Sequence, residues 1–412
     1  MREMKNSGVE WIGEIPVEWS FVKFKYVYAS TNSGEVIDKG YWDNGEEYLY
    51  TCKKTQMLSD YPNFPNHKRT TGEDLLLTRN ATPYVFLPIK NAIYTNVVQR
   101  VVLKEGWDRK FIKYALQCGA ENYQTYGISI PSYNLDVWNG ILIANIPSVL
   151  QKKIVVSIEK ELGKISTLIS NVKNQIEKLN AYKKSLITEV VTKGLDPAVP
   201  LRDSGVDWIG EIPVEWDVIK LKYITHISRG LFNHRPRNDP QFYDGEYPFI
   251  QTGDVARAKK YITTYSQTLN ERGISVSKQF PKGTMTMTIA ANVGDVAILG
   301  FDAYFPDSVV GFTVKAGFDE NYVYYLFQAL KESFIRASIV STQLNLNIER
   351  SKEIVVSVTY DEQEQKKIAV YLEEKCDQID HLITIKQAKI EKLEQYKKSL
   401  IYEYVTGKKE VL

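Results

Sequence analysis

The 412-residue chain, 43% hydrophobic and 25% charged, is long enough for two or three domains that each bury a core, and its composition excludes a disordered or collagen-like polymer. Its formal charge of +2 excludes a polycation, so any affinity for nucleic acid has to be built locally. No apolar run approaches the roughly 20 residues that span a bilayer and the N-terminus is polar, so a cytoplasmic protein without membrane contact is expected. Three cysteines (Cys52, Cys118, Cys376) and four histidines (His67, His226, His234, His381) lie far apart, with no spacing suited to a structural metal.

In chain order, the first distinctive segment is SGVEWIGEIPVEW at 7–19. It returns as SGVDWIGEIPVEW at 204–216, identical at 12 of 13 positions. Between the copies, β-branched and aromatic runs predict strands at Tyr94 to Leu103, and later at Tyr247 to Ile250, Val296 to Leu299 and Val309 to Val314. Short helices are predicted near Phe111 to Cys118 and Tyr322 to Leu330, following the matching turns Gly106-Trp107-Asp108 and Gly317-Phe318-Asp319. Turn residues such as Pro62-Asn63, Asn238-Asp239-Pro240 and Asp244-Gly245 mark long loops.

From Gln151 to Thr192 apolar residues step by fours and threes: Ile158, Leu162, Ile165, Ile169, Val172, Ile176, Leu179, Leu186 and Val190, broken only by Lys183. That is the seam of a two-stranded coiled coil. The second copy is weaker but in register, with Leu372, Cys376, Ile379, Ile383, Ile390, Leu393 and Leu400, and with Lys386 where the first has Val172. The ends repeat too: IEKLNAYKKSLITEVVT at 176–192 and IEKLEQYKKSLIYEYVT at 390–406 share 13 of 17 positions. About 35 residues make each helix about 50 Å long. Each seam needs a partner, and chain order in equivalent units makes the pair antiparallel about a pseudo-two-fold axis.

The stretches between the repeats share little, as in residues 72–103 against 281–314. A constant frame carrying two unlike faces implies two specificities. On those faces, cationic and amide side chains collect in loops: Lys53, Lys54, Lys68, Arg69, Thr78, Arg79 and Asn80 in the first half, with Gln99-Arg100 beside them. In the second half they are Arg229, Asn233, Arg235, Arg237, Gln251, Thr252, Lys259 and Lys260. Such residues read base edges and hold phosphates. Catalytic signatures are missing: there is no P-loop, no Gly-x-Gly cofactor turn and no nucleophile motif. Asp239-Pro240-Gln241-Phe242 lacks the second proline of an amino-methyltransferase element, and Glu364-Gln365-Lys366 at a helix start lacks an aspartate in strand context.

The doubled Trp-Ile-Gly-Glu-Ile-Pro-x-x-Trp (11–19, 208–216), the Gln-x-x-Ile helix entries (Gln151 with Ile154, Gln365 with Ile368) and the Tyr-Lys-Lys-Ser-Leu-Ile endings (182–187, 396–401) resemble the specificity subunits of type I restriction-modification systems. The resemblance covers the whole chain. It implies an α+β protein in which target-recognition domains at 1–150 and 197–360 alternate with conserved helices at 151–196 and 361–412. Each recognition domain would read half of a split site in double-stranded DNA. The resemblance further implies a non-catalytic subunit without its own cofactor, docked with two modification subunits and with restriction subunits; S-adenosylmethionine, ATP and Mg belong to those partners. A coiled-coil adaptor for two protein ligands and a cryptic nuclease are the alternatives.

Overall fold

The computed structural model describes residues 2–80, 82–121, 133–289, 294–340, 344–346 and 348–411. It divides into two compact units, one of residues 1–173 with 387–412 and the other of residues 174–386. Both divisions fall inside long helices, Ser148–Lys193 and Glu362–Val405, of 46 and 44 residues. The predicted domain limits sit at the helix ends instead. The difference has a packing cause: each unit draws part of both helices into its own core. No described helix is long and apolar enough to cross a membrane.

In the first unit an antiparallel sheet orders strands Tyr28–Ser33, Val98–Leu103, Leu75–Thr78 and Val85–Phe86. Because side chains alternate along a strand, Leu75 and Leu77 enter one core while Leu76 enters another. The first core holds Phe24, Phe111, Leu116 and Trp138 together with Ile154, Ile158 and Ile165 of one long helix and Leu400 and Tyr404 of the other. The second holds Leu49, Phe64, Tyr94 and Val98, beneath a smaller sheet of Trp42–Tyr50, Met57–Ser59 and Ile93–Tyr94. The strand predicted from Tyr94 to Leu103 is therefore split by a turn at Thr95 to Val97, where the chain passes between sheets.

The second unit repeats this plan with a five-stranded sheet ordered Thr225–Arg229, Val309–Val314, Met285–Thr288, Val296–Leu299 and Tyr261–Ile262. Met285, Met287, Val310 and Phe312 face the helix-side core, whereas Ala297, Leu299 and Val309 face a distal core with Ile250, Phe280 and Phe305. The strand expected at Tyr247 to Ile250 forms earlier, at Tyr243–Pro248. Helices Arg109–Glu121 and Glu320–Ala329 occupy the two short helical patterns.

The repeated motifs are structural fasteners. Gln151 is buried, accepting from Asp108 N–H (2.8 Å) and donating to the carbonyls of Ile146 (2.8 Å) and Gly106 (3.3 Å). Gln365 makes the same three bonds, with Asp319 N–H (2.7 Å), Thr359 (2.9 Å) and Gly317 (3.1 Å). Each glutamine ties the Gly-aromatic-Asp turn to the start of a long helix. The Trp-Ile-Gly-Glu-Ile-Pro hairpins clasp helix ends: Tyr402 donates to the Ile12 carbonyl in the first unit, and Trp216 donates to Glu364 in the second. Lys398–Glu121 (3.1 Å) and Lys184–Glu332 (3.0 Å) repeat as an ion pair beside them.

The seam residues are inward, but not only toward the other helix. Ile158, Ile165, Ile169, Val172 and Leu400 are buried in the first unit, with Leu162, Ile390 and Leu393 half-buried. In the second, Leu186, Leu372 and Ile379 are buried and Ile176, Leu179 and Ile383 half-buried. Leu372 and Ile379 share a core with Tyr322 to Phe334, so the stripe serves the globular domain as well. Within this unit the helices run antiparallel, since Lys183 pairs with Asp380 (2.6 Å) and Lys386 donates to Gln175 (2.7 Å). Lys183 and Lys386, two of the lysines that interrupt the pattern, thus meet acceptors on the facing helix, whereas Lys397 pairs with Glu394 on its own helix.

Candidate nucleic-acid interface

On the first unit, the exposed loop after Trp42–Tyr50 carries Lys53 and Lys54, with the Lys53 ammonium 5.8 Å from the Trp42 ring centroid. Lys68 is paired with Glu35 (2.5 Å), and Arg69 with Glu47 (2.9 Å) while it donates to the Asn91 carbonyl (3.0 Å). Arg79 and Asn80 leave the end of strand Leu75–Thr78, half-buried and exposed respectively. Thr78 does not join them: it is fully buried, its hydroxyl donating to the Thr82 carbonyl and accepting from Tyr84 N–H. Gln99 and Arg100 are also interior, because they lie on a central strand. Gln99 donates to Thr31, and the Arg100 guanidinium meets the buried Asp74 carboxylate at 3.1 Å.

The second unit gathers its arginines. Arg229 Nε donates to the backbone carbonyl of Asp307 (2.7 Å), Arg237 pairs with Asp307 Oδ1, and Arg235 lies 3.6 Å from Asp307 Oδ2. Arg235 also donates to the carbonyls of Phe232 (2.9 Å) and His234 (2.7 Å). The loop rests on packed rings: Phe232 is buried against Phe242, Tyr243 and Phe249, and the His234 ring lies 4.1 Å from that of Phe242. Asp239 caps the following turn. The Gln241 N–H is the main cause that holds its carboxyl below the usual range, with Gln241 and His234 side chains adding to it.

The remaining predicted residues divide. Asn233 and Lys259 are exposed, and Thr252 is half-buried. Gln251 is engaged within the fold, its N–H bonded to Asp254 (2.8 Å) and its amide to Gln267 (2.9 Å). Lys260 is turned inward, paired with Glu373 of the long helix and lying 5.3–5.5 Å from the rings of Tyr261, Tyr324 and Tyr325. It fastens the domain to the helix and is a poor candidate for a phosphate contact. Sequence reasoning missed Asp307, a lone aspartate in Phe305-Pro306-Asp307-Ser308 with no pattern to flag it, and missed exposed Lys278, whose ammonium reaches Ser228.

Two guanidiniums at one carboxylate and a third on the same residue's carbonyl leave a positive surface rich in N–H donors, suited to guanine edges and phosphates. Among the described residues no group of three or more His, Cys, Asp or Glu could hold a metal. Paired units with one fastening scheme, unlike faces and a basic cluster are the features a nucleic-acid recognition subunit requires. Residues 213–395 match the type I restriction modification DNA specificity domain. The chain is 25% identical, over 96% of its length and 93% of the relative's, to the type I restriction enzyme MjaVIII specificity subunit of Methanocaldococcus jannaschii. It is 30% identical, over 45% of its length and 43% of the relative's, to the MjaIX specificity subunit of that organism. A chain in a solved type I R-M system structure shares its fold, with a TM-score of 0.68 at 13% identity, covering 95% of this chain and 99% of that one. Residues 213–395 thus carry a type I restriction modification DNA specificity domain, and along nearly its whole length the chain is similar to a type I restriction enzyme specificity subunit.

Proposed function

We propose that each unit reads one half of a bipartite duplex site, and that the long helices form an antiparallel coiled-coil ruler that sets the unread spacer between the halves. The observation that carries this reading is the pairing of identical fasteners with unlike loops: Gln151 and Gln365 hold equivalent turns, while the faces above differ in charge and sequence. Two modification subunits and the restriction subunits dock on the repeated frame, in the cytoplasm. In support, exposed side chains that the folding of the frame does not require are retained in pairs: Tyr26 and Tyr223 are each 58% exposed, and Val17 and Val214 are 40% and 51%. S-adenosylmethionine, ATP and Mg are held by those partners, and this chain binds none of them.

The test is to delete one helical turn from both helices and map methylated adenines with the cognate modification subunits. One turn is about 5 Å, more than a base-pair step, so the spacer is expected to change. An unchanged spacer with intact half-sites would refute the ruler. Salt-dependent, sequence-selective DNA retention separates this reading from a protein adaptor.

A further inference from the structure

We propose that Asp307 is a specificity-positioning residue: its carboxylate fixes Arg235 and Arg237, beside the Arg229 held on its backbone carbonyl, in the geometry with which the second unit reads its half-site. This rests on the DNA-reading role proposed above and assigns that role to one arrangement of side chains.

The arrangement follows from the backbone. Gly230 passes so close to the turn at 305–307 that a Cβ there would lie 2.2 Å from the Pro306 carbonyl and 2.5 Å from that of Phe305. Gly230 N–H donates to Val309 and Leu231 N–H to Phe305, so strand Thr225–Arg229 leads straight onto this turn. The approach sets Arg229 beside the Asp307 carbonyl, and the loop then returns Arg235 and Arg237 to its two carboxylate oxygens. Arg237 is held from the other side as well, since Tyr243 donates to its carbonyl. One carboxylate cannot neutralise three guanidiniums. It takes one N–H from Arg237 and sits near one from Arg235. Among the described residues, the terminal nitrogens of Arg229 have no protein acceptor, although Arg229 is exposed. Freely rotating arginines on an exposed loop would each lose side-chain entropy on binding. Here part of that ordering is complete before DNA arrives.

The first unit serves as an internal comparison. Gly34 makes the same close approach, with a Cβ 2.0 Å from the Tyr94 carbonyl and 2.5 Å from that of Thr95. Strand pairing aligns Ser33 with Arg229 and Asn96 with Asp307, because Gln99 faces Ser33 as Val310 faces Arg229. The scaffold is shared, yet its anchor is a neutral Asn96, and no arginine stands at residues 33–35. The carboxylate and its arginines are thus a choice made in one recognition domain and not a requirement of the frame.

The test uses the full chain in complex with its modification subunits, mapping methylated sites in a randomised duplex library and measuring the salt dependence of binding. Asp307→Asn is close to isosteric at a partly exposed site. It is expected to relax selectivity about 5- to 100-fold at the half-site of the second unit, leaving the other half unchanged. Because the variant removes a negative charge, binding to unrelated DNA should stay equal or tighten, with a salt slope steeper by about one phosphate contact. A side chain needed only for folding would instead weaken every site and lower the melting temperature. Arg237→Ala breaks the same pair from the partner side and should relax the same half-site. Unchanged selectivity in Asp307→Asn while Arg237→Ala relaxes that half-site overturns the positioning role. Unchanged selectivity in both, and in Arg235→Ala, overturns the assignment of this loop as the reader.

Discussion

Replacing Gln365 by Met keeps side-chain volume but strands one buried N–H and two buried carbonyls, at Asp319, Gly317 and Thr359. A typical buried hydrogen bond contributes about 1 kcal/mol net, and an unsatisfied buried partner costs about 1–3 kcal/mol, so the loss is about 3 kcal/mol or somewhat more. Gln365 is 0% exposed, so water cannot take over the bonds without opening the turn. For a unit of this size each kcal/mol shifts the melting temperature by about 2–4 °C, which predicts a fall of roughly 6–12 °C in calorimetry. Hydrogen exchange should place the loss at the Asp319 amide and the start of the Glu362–Val405 helix. Gln365→Glu should be at least as damaging, because it keeps the acceptor but sets a carboxylate against two carbonyls. If both variants melt within about 1 °C of the parent, the glutamine is not the fastener described.

The inward lysine gives a second expectation: Lys260→Met should lower stability by about 1–2 kcal/mol through lost ring and ion-pair contacts, measured by denaturant titration, while DNA affinity per folded molecule stays unchanged. A loss of affinity at unchanged stability would return Lys260 to the DNA face. Burial pushes the Cys118 thiol up to about 12 and the Cys376 thiol up to about 11. Neither should be alkylated by iodoacetamide in the native protein at pH 7.5, since the thiolate is the nucleophile. Rapid native-state labelling of either, read by mass spectrometry, would contradict the packing around it.

The parts of this molecule legible in the sequence were those repeated at fixed offsets or written in a local period. The strands at Val296–Leu299 and Val309–Val314 lie where the β-branched runs place them, and the two long helices follow their apolar steps. The glutamines of the helix entries were visible as repeats, though not their purpose, because a buried amide and an exposed one are the same letter. Side-chain burial was the chief loss. Thr78, Gln99 and Arg100 carry the chemistry of base readers, but they lie on central strands covered on both faces, so they are interior whichever way they point, and that depends on which neighbours the sheet acquires. Lys260 likewise looked like a loop cation until three tyrosines and Glu373 enclosed it.

The sequence by itself determined that two copies of one frame carry two different faces, since identity at a constant offset needs no coordinates. Tertiary structure alone decided which polar residues of those faces stay outside. It also brought Asp307 to Arg229, Arg235 and Arg237 across some 70 residues of chain, 307 less 237. The physical reason is that a charge acts over a few ångströms of space, and separation along the chain does not fix separation in space.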